Sequence, residues 1–172
     1  MCRATCRQQT YNAGGVELFT SHSHNMSTTR ILVHIVFTTK HRAETLPIAA
    51  KRRLYAYMYG IIKNKKCTTL RINGMSDHVH LLICLNPSIS LADLVKDIKV
   101  STSLWIKNQD EFTAFRGWNT GYYAASIGRD GEQRCINYIK NQEAHHSSKT
   151  FLQEAQEFAM EYMLDWSEND WM

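Results

Sequence analysis

The chain has 172 residues, 44% of them hydrophobic and 21% charged, with a formal net charge of +4. That suffices for one domain with a real core and falls short of two. No apolar run approaches the roughly 20 residues that span a bilayer, and the start, Met1-Cys2-Arg3-Ala4-Thr5-Cys6, lacks the apolar stretch of a secretory signal, so a cytoplasmic location is expected.

Residues 1–27 show no sustained periodicity, are rich in Ser, Thr, His and Gln, and read as a disordered arm. Met26 precedes the first strand pattern, so a natural start there would leave the domain whole. The five cysteines, Cys2, Cys6, Cys67, Cys84 and Cys135, are odd in number and do not read as a disulfide framework. Cys2 and Cys6 ahead of His22 and His24 invite a zinc-finger reading, but the cysteine spacing is one residue wide of the usual short form and no packed element separates the two pairs.

Thr29 to Thr39 is a β-branched, apolar run and reads as a central strand. His34 lies inside it, where a lone histidine is more often packed or hydrogen-bonded than a ligand. Pro47 suits a first helical turn, and Leu54, Met58, Ile61 and Ile62 recur at helical spacing, so a helix is predicted from Leu46 to Asn64. Cys67 to Met75 reads as a second strand, with Asn73-Gly74 as a hairpin turn or Gly74 as a bulge. Asp77 to Leu85 is the third strand. Ser90 is a plausible N-cap for a helix from Leu91 to Lys107, with Leu94, Ile98 and Leu104 on one face. Gln109 to Asn119 reads as a loop and Gly121 to Ile127 as a fourth strand. Asp130 and Gln133 resemble a capping box opening a helix to about Glu143, closed by His145-His146. Phe151 to Leu164 is a last amphipathic helix before an acidic, Trp-containing tail.

The order β-α-β-β-α-β-α predicts an α+β, ferredoxin-like (RRM-like) antiparallel sheet with additional C-terminal helices. The expected organisation is an arm over 1–27, a domain over 28–147, and a C-terminal helix and tail over 148–172.

Charge is unevenly placed. Lys40 to Arg71 holds nine Lys/Arg against one acid, Glu44, and six acids with no base follow Lys149. A single basic region suits one polyanionic partner, or simply a solvated helix face. Lys40, Arg42, Arg52, Arg53, Lys63, Lys65 and Lys66 are the candidates for phosphate contacts.

The most informative stretch is Ser76-Asp77-His78-Val79-His80-Leu81-Leu82-Ile83-Cys84. Histidines two apart in a strand project from the same face, and two imidazoles on one face suit a shared metal ion or packed core residues. On the later helix, Tyr138 and Gln142 are four apart and share a face. A tyrosine hydroxyl can attack a phosphodiester, and an amide oxygen can join two imidazoles around a divalent cation. Asp77 abuts the histidines and is a candidate for orienting an imidazole, or a plain surface acid.

Asp77-His78-Val79-His80-Leu81-Leu82, followed about sixty residues on by Tyr138-Ile139-Lys140-Asn141-Gln142-Glu143-Ala144-His145-His146, resembles the single-tyrosine HUH transposases of small bacterial insertion sequences. That family includes the tyrosine transposases associated with repetitive extragenic palindromes. Ile31 to Phe37, Ile98-Lys99 and Trp118-x-x-Gly121-Tyr122 share in the resemblance, which covers roughly Thr29 to His146. It implies that His78, His80 and Gln142 bind Mg²⁺ or Mn²⁺, that Tyr138 is the nucleophile, and that no nucleotide cofactor is needed. It further implies cleavage and rejoining of single-stranded DNA at hairpin-bearing element ends through a 5′-phosphotyrosine link. The implied assembly is a homodimer with sheets joined edge to edge, in a bacterial cytoplasm and at the nucleoid when acting, with no membrane. Two other readings stay open: a non-catalytic module binding single-stranded RNA or DNA on the same sheet, and a domesticated relative acting on palindromic repeats.

Overall fold

Every strand in this protein is antiparallel to its neighbours, and one register decides the rest. The computed structural model describes residues 28–142 and 150–164. The sheet has the order β2-β3-β1-β4, with β1 at Ile31–Thr38, β2 at Thr68–Gly74, β3 at His78–Leu85 and β4 at Tyr123–Ser126. This is the ferredoxin-like arrangement expected from the element order. β1 and β3 pair centrally, Ile31 against Leu85 through Thr38 against His78. Both are covered on both faces, which is why each reads as a nearly continuous apolar run instead of an alternating one.

The two faces carry different helices. Val33, Ile35, Phe37, Val79, Leu81 and Ile83 pack against α1 (Lys51–Asn64) and α2 (Leu91–Ile106). The opposite face sets Leu32 and Leu82 against Cys135 and Ile139 of α3 (Glu132–Lys140), and Val36 against Ala155 of α4 (Phe151–Glu161). Each fully buried Leu or Ile contributes about 1.5–3 kcal/mol, so the larger cluster under α1 and α2 anchors the sheet. The thinner layer of α3 and α4 leaves room for polar groups. Among the described residues Cys67, Cys84 and Cys135 are free thiols, and no helix is long and apolar enough to cross a membrane.

Several boundaries differ from the sequence reading, for local reasons. α1 begins at Lys51, because Ala50 and Lys51 both donate to the Pro47 carbonyl and close a turn first. In α2 the buried stripe is Leu94, Val95, Ile98, Thr102 and Ile106. Leu104 is 58% exposed, since six residues beyond Ile98 at about 100° each turn it to the far side. The Ser90 cap is present, its hydroxyl accepting from the Asp93 amide at 3.0 Å. α3 has no side-chain cap: a 3-10 turn, Arg129–Gly131, feeds straight into it and contains Asp130. α4 carries the genuine capping box, Thr150 with Gln153. The predicted arm over 1–27, His145-His146 and the tail over 165–172 lie outside the described residues. Lys99, in α2, ties down the loop before β4 by donating to the carbonyls of Asn119, Thr120 and Gly121.

Gly74 is neither the hairpin turn nor the bulge. The register shift falls between Thr69 and Arg71, and Gly74 pairs with Val79 as the last residue of β2. A Cβ there would lie 2.2 Å from the His78 carbonyl oxygen and 2.8 Å from the Val79 Cα. That same carbonyl accepts from the Met75 amide and closes the turn into the histidine strand. The buried Lys51 ammonium donates to the Gly74 carbonyl at 2.9 Å, fixing the hairpin to α1. Gly74→Ala is therefore expected to lower the unfolding free energy by about 1–3 kcal/mol, as overpacking does. Denaturant titration checks this, and an unchanged midpoint contradicts the close approach.

Candidate functional site

His78 and His80 lie on the sheet face that α3 and α4 cover. In the β1–β3 register Thr38 stands across from His78, Val36 across from His80 and His34 across from Leu82. Directly opposed residues share a face, so His34, His78 and His80 all point into the α3–α4 layer. His34 is 1%, His78 0%, His80 2%, Gln142 0% and Glu154 7% exposed. Five polar side chains this deep require mutual satisfaction.

α3 is aligned on the sheet from below. Asn73 of β2, which pairs with His80, donates its amide to the carbonyls of Ile139 at 2.9 Å and Lys140 at 3.2 Å. Those bonds satisfy carbonyls in the last turn of the helix, which otherwise lack partners. They also seat the turn carrying Tyr138 and Gln142 against the histidine strand. α4 supplies Glu154 from above, beside Ala155 and Phe158 on its buried face.

The contacts are specific. Asp77 Oδ1 accepts from His78 Nδ1 at 2.6 Å, while Asp77 Oδ2 lies 3.3 Å from the Arg42 guanidinium. Burial pushes the Asp77 carboxyl upward, but the hydrogen bond and charge of His78, with Arg42, hold it below its ordinary value. Arg42 reaches Asp77 from a turn in which His41 and Arg42 both have positive φ, 56° and 53°. Such a backbone costs about 1–2 kcal/mol per non-glycine residue. It is held by the Thr39 hydroxyl, which donates to the Ala43 carbonyl at 2.6 Å.

With its Nδ1–H given to Asp77, His78 turns Nε2 toward the helix layer. That atom faces Gln142 Oε1 at 3.3 Å. The Gln142 amide nitrogen is committed to Glu154 Oε1 at 2.8 Å, so the Gln142 oxygen cannot be exchanged for a donor. Glu154 Oε1 also accepts from the Tyr138 hydroxyl and lies 3.7 Å from His80 Nε2. The ligand atoms of His78, His80 and Glu154 lie within 4.8 Å of one another. Two imidazole nitrogens and a carboxylate this close suit one divalent cation, and the Gln142 amide oxygen stands beside them, 3.3 Å from His78 Nε2.

Tyr138 stands beside this cluster in the same chain, its ring 5.6 Å from that of His80, edge to face. Burial, then the negative charge of Glu154 and the hydrogen bond to it, push its phenol far above the ordinary value. The hydroxyl is thus held protonated, with a carboxylate in place to receive the proton. A cavity of about 300 Å³ opens next to it, lined by His34, Tyr138, Glu154, Phe158 and Tyr162 among others.

The sequence model of the family described as "Transposase IS200 like" matches residues 27–142. The chain belongs to this IS200-like transposase family. Curated relatives include the transposases for insertion sequence element IS200 of Salmonella typhimurium and Salmonella typhi. Each is 25% identical over 114 residues, 63% of this chain and 74% of the relative. Among solved structures, a Deinococcus radiodurans protein assigned as a transposase aligns with a TM-score of 0.51 at 22% identity, covering 67% of this chain and 93% of the other. A REP-associated tyrosine transposase bound to a REP hairpin aligns with a TM-score of 0.53 at 12% identity, covering 70% and 74%. At those identities the two structures support the fold.

The transposase brings together His78, His80, Tyr138 and Gln142, with Asp77 bound to His78. It does not bring the basic candidates to them. Arg53 pairs with Glu111 and Lys65 with Asp97, while Arg52, Lys63 and Lys66 are exposed on or just after α1, the helix on the other sheet face. Lys40 and Arg42 alone sit at the histidine end, where the Thr39 amide donates to the Asp77 carbonyl. One residue of the cluster was not singled out from sequence, Glu154, while His34 was read there as packed or hydrogen-bonded. A carboxylate four residues before Phe158, on the helix face that is otherwise Ala155, Phe158 and Ala159, was the available signal for Glu154.

Glu154→Gln removes the charge next to the phenol. In metal-free protein the Tyr138 phenol is then expected to ionise at lower pH than in the parent, measured from the ¹³Cζ resonance of labelled tyrosine. An unchanged titration contradicts the electrostatic link.

Proposed function

We propose that this transposase cleaves and rejoins single-stranded DNA at hairpin-bearing element ends, with Tyr138 as nucleophile and a 5′-phosphotyrosine as the covalent link. The observation that carries the reading is the convergence of the Tyr138 hydroxyl, Gln142 and Glu154 on His78 and His80 inside one chain. The residues that would hold the cation, Mg²⁺ or Mn²⁺, are His78, His80 and Gln142, joined by Glu154. When bound, that ion polarises the scissile phosphate and stabilises the leaving oxygen.

The rest is the work of the chain. Glu154 accepts the phenol proton as the Tyr138 oxygen bonds to phosphorus, so the nucleophile is activated only as it reacts. The P–O3′ bond breaks, and the proton held by Glu154 passes to the 3′ oxygen to leave a free 3′-OH. Attack by a 3′-OH on the phosphotyrosine reverses the step: its proton passes to Glu154 and from there to the departing Tyr138 oxygen. The phosphodiester energy stays in the covalent link, so no nucleotide cofactor enters. Asp77 orients His78, and burial of all five polar groups excludes water that would otherwise hydrolyse the link.

Lys40 and Arg42, at the histidine end of the sheet, suit the phosphates nearest the scissile bond. Arg52, Lys63 and Lys66 suit more distant backbone contacts, with Arg53 and Lys65 available if their ion pairs open. A DNA hairpin as partner is supported by the REP hairpin bound to the structural relative. A homodimer joined edge to edge is supported by the short outer strand β4, which has one neighbour in the sheet.

Single-stranded DNA from the gene's own flanks, incubated with the protein and Mg²⁺, is expected to give a covalent protein–DNA band on a denaturing gel. The band is expected to vanish in Tyr138→Phe, in His78→Ala and with chelator. Persistence in Tyr138→Phe contradicts the nucleophile assignment. Binding without any adduct, insensitive to chelator, favours a non-catalytic binding module.

A further inference from the structure

We infer that His34 is a positioning residue for His80, accepting the Nδ1–H hydrogen bond that keeps the His80 Nε2 lone pair turned toward the cation site. The inference rests on the cation reading above and adds a residue to it. His34 Nε2 and His80 Nδ1 are 3.1 Å apart and buried, and the two rings stack at 5.3 Å with an interplanar angle of 23°. The pairing thus sets both the tilt of the His80 ring and the nitrogen that carries its proton.

The direction of the bond follows from the other side of the ring. Were His34 the donor, the His80 proton would sit on Nε2, facing Glu154 Oε1 at 3.7 Å, beyond hydrogen-bond range. With His80 as donor, every atom has a role: Nδ1–H meets His34, and Nε2 joins the ligand cluster of His78 and Glu154. His78 shows the same division of labour, its Nδ1–H given to Asp77. Ligating imidazoles in general donate their second nitrogen to such a partner.

An imidazole suits the inner position better than a second carboxylate. Phe158 and Tyr138 close around His34 edge to face, at 4.9 Å and 6.0 Å, an apolar enclosure in which a second buried anion is costly. The His34 ring offers Nε2 as an acceptor at hydrogen-bond distance from His80 Nδ1.

The test compares the full chain with His34→Leu, which removes the acceptor, and His34→Gln, which keeps one. Mn²⁺ is the probe, its free concentration read by electron paramagnetic resonance. Long-range ¹H–¹⁵N spectra of the histidine rings report the His80 tautomer in metal-free protein. His34→Leu is expected to weaken Mn²⁺ binding 10- to 100-fold and to erase the Nδ1–H pattern of His80, while His34→Gln retains most of both. Equal Mn²⁺ affinity in a folded His34→Leu protein overturns the inference, and so does an Nε2–H tautomer in the parent. Equal losses in the Leu and Gln variants also overturn it, because they indicate packing alone. Should His34→Leu fail to fold, the parent tautomer and the Gln variant decide. Failure of the cation reading shows itself separately: Mn²⁺ affinity unchanged in His80→Ala, while the parent protein shows the His80 Nδ1–H tautomer.

Discussion

The β1–β3 register governs this molecule. Setting Thr38 against His78 and Val36 against His80 puts three imidazoles on the face that α3 and α4 cover. A slip of β3 by one residue against β1 would turn His78 and His80 into the apolar layer beneath α1 and α2, away from His34, and Val79 and Leu81 out of it. Register is strongly specified because both faces are buried. It is held at its end by the Thr39 amide, which donates to the Asp77 carbonyl at 2.8 Å, beside the β2–β3 hairpin from Gly74 to His78, where a side chain larger than hydrogen does not fit. Stability of the large apolar face and placement of the polar one are therefore consequences of the same pairing.

On that placed face, one carboxylate oxygen organises the chemistry. Glu154 Oε1 accepts from Tyr138 and from Gln142 and lies beside His80. A negative charge at that depth is tolerable because it has donors and stands in a cluster suited to a cation. The same charge explains why the phenol is held protonated. In the proposed mechanism it also couples activation of Tyr138 to relief of that charge by the phenol proton. Asp77 plays the matching part at the outer histidine, with Arg42 behind it.

Much of the fold was legible because the strands are long, β-branched and interrupted by clear turn residues, and the histidine pair stood out against an apolar strand. Tyr138 and Gln142 acquired meaning only through their family setting, since a tyrosine on an amphipathic helix is ordinarily packing. Glu154 was not legible in the same way. It lies in a helix that follows the matched family segment, and its importance comes from tertiary packing onto the sheet that periodicity does not encode. His34 was weighed as a packed histidine, which it is; its partner could be seen only once the register was known. Leu104 and Asp130 show the opposite failure: Leu104 lies about a third of a turn from Ile98 on the helix, and a 3-10 turn takes up Asp130 before the helix begins. The basic segment was correctly seen as a cluster in sequence, but three of its members are spent on Asp77, Glu111 and Asp97, and most of it lies on or just after α1, across the sheet from the tyrosine.

What joins these observations is the proposed site for a single divalent cation, on two histidines of one strand next to a tyrosine of the same chain. Crystals grown with Mn²⁺ test that most directly, through anomalous scattering at the manganese edge. One peak is expected between the Nε2 atoms of His78 and His80, beside Glu154 and Gln142 and within reach of Tyr138. Manganese bound elsewhere with that position empty, or a peak that persists in the His78→Ala, His80→Ala double variant, would contradict it.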